Sequence, residues 1–287
     1  MSANKRYEIL YKLKIIHDLP TLPIVMTKLS DTIADPDCSA SHIVNILNSD
    51  PAIAATILKT VNSPLFSTGK QRIDSLQFAI VRLGLQEVQN MALSTAIVKM
   101  FENSKGKFFD MKEFWKHSMF TSLVAIEIGK KLPHFKLKAD QLHLAGLLHG
   151  IGKIILDSYF SEDFEKSMEL ALHANISLYQ AEELMMGINH CELGYMVALN
   201  WNLPAVAVNT IRFYHSPDDA PEECRNLVRV VNIADYIVTS QNFGINGEVT
   251  TPNLNKGVWD SLGLTAEDIH LVIESVKENE NVLTSIL

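Results

Sequence analysis

The 287-residue sequence is sparing in several features, and each absence excludes something. No stretch reaches the roughly eighteen uninterrupted apolar residues that a membrane-spanning helix requires. There are three cysteines, Cys38, Cys191 and Cys224, far apart and without a CxxC pair. That pattern argues against a disulfide scaffold or a cysteine-rich zinc site and for reduced thiols in a cytoplasmic setting. The first twenty residues mix Lys, Arg, Glu and Asp into their apolar positions, unlike a secretory leader. No Walker-type loop, GxGxxG turn or GxSxG elbow is present. Cationic excess is missing too: residues 1–105 hold 11 Lys and Arg against 9 Asp and Glu, and the remainder 14 against 24. A net charge of −8 weighted towards the second part disfavours a phosphate-backbone binder, so a nucleic-acid partner is not expected.

What is there is helical periodicity. Hydrophobic residues make up 47% of the chain and charged ones 20%, a globular balance. Nearly every segment repeats its apolar positions at helical spacing, and none alternates as a strand does. Start signals are frequent: Pro23, Ser39 or Ser41, Asp50-Pro51, Ser75, Asp110, Ser161, Ser177 with Gln180, Asn189 with Glu192, Leu203-Pro204, Glu222, and Thr265 with Asp268. Gly84 is expected to stop one helix in the left-handed conformation, and 244–253 reads as a loop. The two helices within 73–101 have the outline of a helix-turn-helix. The second, Leu85 to Met100, carries only Glu87 and Lys99 as charges, which fits a packing hairpin and not a groove reader. Trp115, Trp201 and Trp259 read as core anchors, and Cys191 as a small buried apolar group. The expected fold is all-α with two helical lobes, 1–105 and 106–287, meeting at the polar stretch Asn103–Lys107.

The stretch Leu142–Leu156, LHLAGLLHGIGKIIL, resembles the signature of the HD phosphohydrolase superfamily, in which a helix presents a His-Asp pair to a metal ahead of Ile-Gly-Lys. Gly150 stands at the aspartate position. A second set of residues resembles the HDOD module, the HD-related output domain of bacterial signalling proteins. Asp50-Pro51, Asn62-Ser63-Pro64-Leu65-Phe66, Ser75-Leu76, Ala79-Ile80 and Leu83-Gly84 follow one another in order, and the likeness spans roughly residues 17–215.

The resemblance implies a set of candidate metal ligands: His117, His149 and Asp235, with His190 and His215 matching extra histidines of the two-metal HD-GYP phosphodiesterases. Tyr214 replaces the first histidine of a His-His pair, and nothing after Asp235 resembles the Gly-Tyr-Pro element. His117, His149 and Asp235 would form a two-histidine, one-carboxylate triad suited to iron, manganese or zinc, so the expectation is no metal or a single divalent one. Lys153 would contact substrate phosphate in an active relative; as a bland alternative it is a helix-end cation or an ion-pair partner. A histidine on an apolar helix face is ordinarily a hydrogen-bonded core residue, and His17, His42, His134, His143, His173 and His270 match no role. The leading expectation is therefore a non-catalytic signalling module, standing alone, that binds a protein partner or a small ligand in the HD pocket. The alternative is a metal-dependent phosphohydrolase with an incomplete ligand set.

Overall fold

In a computed structural model, residues 2–15, 24–34, 39–63, 66, 72–101, 108, 110–244, 247–248 and 253–278 are described. His17, Pro23, Cys38, Pro64-Leu65 and the expected boundary at 103–107 lie outside them. The described residues form sixteen α-helices and two 3-10 turns, with no strand among them. In order the helices are α1 (Ser2–Ile15), α2 (Ile24–Ala34), α3 (Ala40–Asn48), α4 (Pro51–Val61), α5 (Leu76–Leu83) and α6 (Leu85–Phe101). Next come α7 (Met111–Lys131), α8 (Ala139–Leu148), α9 (Ile151–Tyr159), α10 (Ser161–Ala174) and α11 (Leu178–Met186). The last five are α12 (His190–Asn200), α13 (Ala205–Phe213), α14 (Glu222–Ser240), α15 (Lys256–Leu262) and α16 (Ala266–Glu278).

The starts follow from capping chemistry, because a short polar side chain satisfies N–H groups that the first turn leaves open. Ser39, not Ser41, caps α3 by accepting from the His42 N–H. Asp50 accepts from Ala52 and Ile53, with Pro51 in the first turn of α4. Ser75, Asp110 and Asn189 cap α5, α7 and α12, and Ser177 with Gln180 forms the full reciprocal box at α11. Gly84 departs from expectation. Its φ of 104° and ψ of 159° lie outside the left-handed helical region, in extended backbone open to glycine, so α6 starts at once in a new direction.

The motif residues near the N-terminus are joints. Asn62 Nδ2 donates to the carbonyls of Leu58 (2.6 Å) and Ile73 (2.7 Å), while its Oδ1 accepts from Ile73 N–H (2.8 Å). One side chain thus clips the end of α4 to the segment leading into α5. Asp50, besides capping α4, pairs with Lys99 of α6 at 3.1 Å.

Helices α2–α6 pack on one another, and α6 also lies on α8. A buried bond from Asn90 Nδ2 to Asp140 Oδ2, 2.7 Å long, crosses that contact. Most of α6 is buried, including Val88, Met91, Leu93 and Ile97, which leaves no open face for a DNA groove. In the second part α7 pairs with α8 and α14, and α9 with α12. Two close backbone approaches set these pairs. A Cβ at Gly146 would stand 2.6 Å from Ser122 Cα, and one at Gly152 would overlap the His190 carbonyl oxygen. Helix α1 reaches across to α11 and the start of α12, where Arg6 forms two bonds to the Glu192 carboxylate and donates to the Gly187 carbonyl at 2.7 Å.

Candidate metal centre

Helix α7 brings His117, the α8–α9 junction brings His149, and α14 brings Asp235. His117 Nε2 lies 2.9 Å and His149 Nε2 3.3 Å from the same oxygen, Asp235 Oδ1. All three residues are buried, and their ligand-type atoms fall within 4.8 Å of one another. Burial pushes the Asp235 carboxyl up, but hydrogen bonds from His117 and His149 outweigh it and hold the group well below the usual carboxylate range. Burial lowers His117 despite that same carboxylate.

The proton inventory bears on whether a cation fits. His149 Nδ1 sits 2.7 Å from the Gly146 carbonyl, so Nδ1 carries the hydrogen. The Nε2 lone pair then points at a carboxylate oxygen, which is attractive only if Nε2 is protonated as well or a cation lies between them. An imidazole oriented by a backbone carbonyl through its other nitrogen is the usual arrangement of a metal-binding histidine. The residues therefore fit a single divalent ion held by His117, His149 and Asp235. Bound there, it would act as a Lewis acid towards a phosphoryl oxygen or a water.

His190 and His215 belong to a second, adjoining cluster, and their surroundings are different. His190 Nδ1 is 2.6 Å from Glu182 Oε2, which also accepts from the His190 backbone N–H at 2.8 Å. His190 Nε2 meets the Tyr214 hydroxyl at 2.5 Å and His215 Nε2 at 3.2 Å. Burial raises Glu182 well above and lowers His190 well below their ordinary values, so burial favours the neutral form of each. His190 Nε2 is hydrogen-bonded to the Tyr214 hydroxyl, whose proton burial retains. The tyrosine at the position of a missing histidine thus engages the nitrogen that a second ion would need. Its ring also packs edge-on against His149, with centroids 4.9 Å apart, between the two clusters. Cys191 lies close enough to His190 and His215 to complete a ligand trio, but burial pushes its thiol well up and keeps it protonated.

Lys153 is buried and pairs with Glu248 at 3.0 Å. Burial alone would strip its charge; Glu248, followed by Asp235, keeps the ammonium protonated. Glu248 Oε2 also accepts from the Leu178 N–H at 3.3 Å, so the carboxylate joins α9 to the start of α11.

Three participants carried no signal in the sequence. Glu248 lies in the loop segment 95 residues after Lys153, and Glu182 looks like any acidic residue of an amphipathic helix. Phe114 reads as core, yet a Cβ at Gly150 would stand 3.2 Å from its Cζ. Of the unassigned histidines, His42, His134, His173 and His270 are exposed, whereas His143 is buried on α8. Trp115 and Trp201 are buried, and Trp259 is half-buried.

Comparison with known proteins agrees with this architecture. An HDOD domain protein with unknown function from Geobacter sulfurreducens superposes with a TM-score of 0.74 at 24% identity, covering 99% of this chain and 96% of that one. A protein described as a candidate metal-dependent phosphohydrolase from Shewanella amazonensis gives 0.67 at 20% identity, covering 99% of each chain. One described as a candidate signal transduction protein from Marinobacter aquaeolei gives 0.71 at 18% identity, covering 99% of this chain and 65% of that one. At these identities the likeness establishes the shared all-helical fold. By sequence, an uncharacterized protein of Treponema pallidum is 31% identical over 223 residues, 78% of this chain. The chain spans 42% of that protein's length. The HDOD domain profile matches residues 19–217, and with it the order of the Asp50-Pro51, Asn62 and Gly84 joints is explained: the chain belongs to the HDOD family.

Proposed function

We propose that this protein is a non-catalytic, cytoplasmic module of bacterial signal transduction, acting through a bound protein or small ligand, whose histidine–aspartate cluster holds at most one divalent ion of iron, manganese or zinc. The observation that carries the reading is Gly150 at the acid position, with the edge of the Phe114 ring 3.2 Å from where its Cβ would stand. The superfamily resemblance puts a bridging carboxylate there, and in this chain the Phe114 ring lies against that position. A shared negative ligand is missing, so two divalent ions would repel one another more strongly, and an attacking water would lack its anionic partner. The Tyr214 hydroxyl on His190 Nε2 supports the same reading from the adjoining cluster.

The second reading, a phosphohydrolase working with an incomplete ligand set, is favoured by one observation: His117, His149 and Asp235 converge on a single oxygen. Elemental analysis of purified protein, with a phosphatase and phosphodiesterase screen in added manganese, separates the two. The regulatory reading expects at most one equivalent of metal and no turnover above background. Turnover that disappears in His149→Ala would overturn it in favour of the hydrolase.

A further inference from the structure

Among the described residues Lys153 is the only buried lysine or arginine, and the acid that touches it lies outside the helices. Glu248 Oε1 accepts from Lys153 Nζ at 3.0 Å, and Glu248 Oε2 accepts from the Leu178 N–H at 3.3 Å. Leu178 is the first residue of α11, so its amide is one that the helix leaves without an internal partner. The carboxylate therefore bridges a buried ammonium and an open helix N–H. These are the two kinds of donor that hold carboxylates and phosphates in proteins.

Stability is a weak reason for such a pair. Two buried charges give up their hydration, which offsets much of their attraction. Glu248 also enters from a segment with its own placement. Upstream, Phe243 stacks on Phe120 with centroids 4.8 Å apart, and a Cβ at Gly244 would stand 2.5 Å from the His117 backbone nitrogen. Gly247, directly before Glu248, has φ of 80°, a conformation that favours glycine. The other acids that act on Lys153 are committed elsewhere. Asp235 is engaged by His117 and His149, and burial favours the neutral form of Glu182. Glu248 is thus the anion that the Lys153 ammonium holds.

We propose that Glu248 is an internal stand-in for the anionic group of a small ligand, an autoinhibitory contact that a carboxylate or phosphate displaces from between Lys153 and the Leu178 N–H. The inference rests on the small-ligand reading above and names the chemistry of that ligand. While Glu248 is seated, an incoming anion competes with a carboxylate already bonded through both oxygens. Removing that competing charge opens the same two donors to the ligand.

The probes are inorganic phosphate and acetate, titrated at constant ionic strength into full-length ¹⁵N-labelled protein with the Leu178 amide as reporter. At least one should move that signal in wild type, and the one that acts at lower concentration identifies the ligand's anionic group. Glu248→Gln, which keeps the side chain's shape and removes its charge, should bind that anion about tenfold more tightly. The double variant Lys153→Met, Glu248→Gln removes both charges and should bind neither. A wild-type Leu178 signal unmoved by both anions overturns the proposal, whether or not Glu248→Gln folds. So does equal affinity in wild type and Glu248→Gln, or retained binding in the double variant. An unmoved signal without phosphoester turnover removes this inference and leaves the regulatory reading standing, whereas turnover lost in His149→Ala removes the regulatory reading itself.

Discussion

Phe114 Cζ lies 3.2 Å from where a Cβ at position 150 would stand. Gly150 has φ of −90° and ψ of 8°, a backbone open to other residues, so it is the phenyl ring and not the main chain that opposes an aspartate. The metal chemistry and the packing of α7 are therefore coupled at one contact. Gly150→Asp alone should be destabilised by about 1–3 kcal/mol through overpacking. Gly150→Asp combined with Phe114→Leu should recover part of that loss and bind Mn²⁺ about tenfold more tightly than wild type, a difference of about 1.4 kcal/mol. Thermal unfolding and calorimetric titration check both. Tighter metal binding by the single variant with undiminished stability would show that Phe114 yields without cost.

Asn62 should matter for stability without touching the candidate metal centre. Its amide satisfies both the N–H and the carbonyl of Ile73 and ties them to the end of α4. Asn62→Ala leaves those half-buried groups to find water, and should cost about 2 kcal/mol in urea unfolding. Asn62→Asp keeps the acceptor but loses both donated bonds, and should fall between the two. A neutral Asn62→Ala would mean that the clip is replaced by solvent.

The pH response of the fold should contain a contribution from His143. Burial lowers its imidazole from 6.5 to about 4, so the unfolded chain takes up a proton near pH 6.5 and the folded chain only near pH 4. Between those values the unfolded state binds more protons, and stability from this group rises with pH. It is complete above pH 6.5 and lost on acidification, by about 2 kcal/mol at pH 5. His143→Gln should lose correspondingly less stability than wild type between pH 7 and pH 5 in urea titrations. Equal losses in the two proteins would assign the acid sensitivity elsewhere.

Among the described residues, helix α1 is tied down by the forked pairing of Arg6 with Glu192 and the ion pair of Lys5 with Asp163. The Arg6 pair is partly open to solvent, so its worth is modest, about 1 kcal/mol. Arg6→Ala should raise amide hydrogen exchange across residues 5–13 while leaving α7 and α8 protected. Arg6→Lys, which cannot reproduce the fork, should resemble alanine more than wild type. Uniform exchange in all three would show that apolar contacts of Ile9 suffice.

The sequence by itself determined the helices, most of their starts and the family resemblance, because capping and periodicity are local. Ser177 with Gln180, Asp50-Pro51 and Asn189 satisfy N–H groups only two or three residues away. It also showed where an acid is missing, since Gly150 sits inside a recognisable stretch. Only the tertiary structure decided what borders the gap, for the Phe114 ring arrives from a different helix. The same holds for Glu248 against Lys153 and for the Tyr214 hydroxyl against His190. Such contacts depend on which helix faces pack together, a three-dimensional property that no pattern over a few residues encodes.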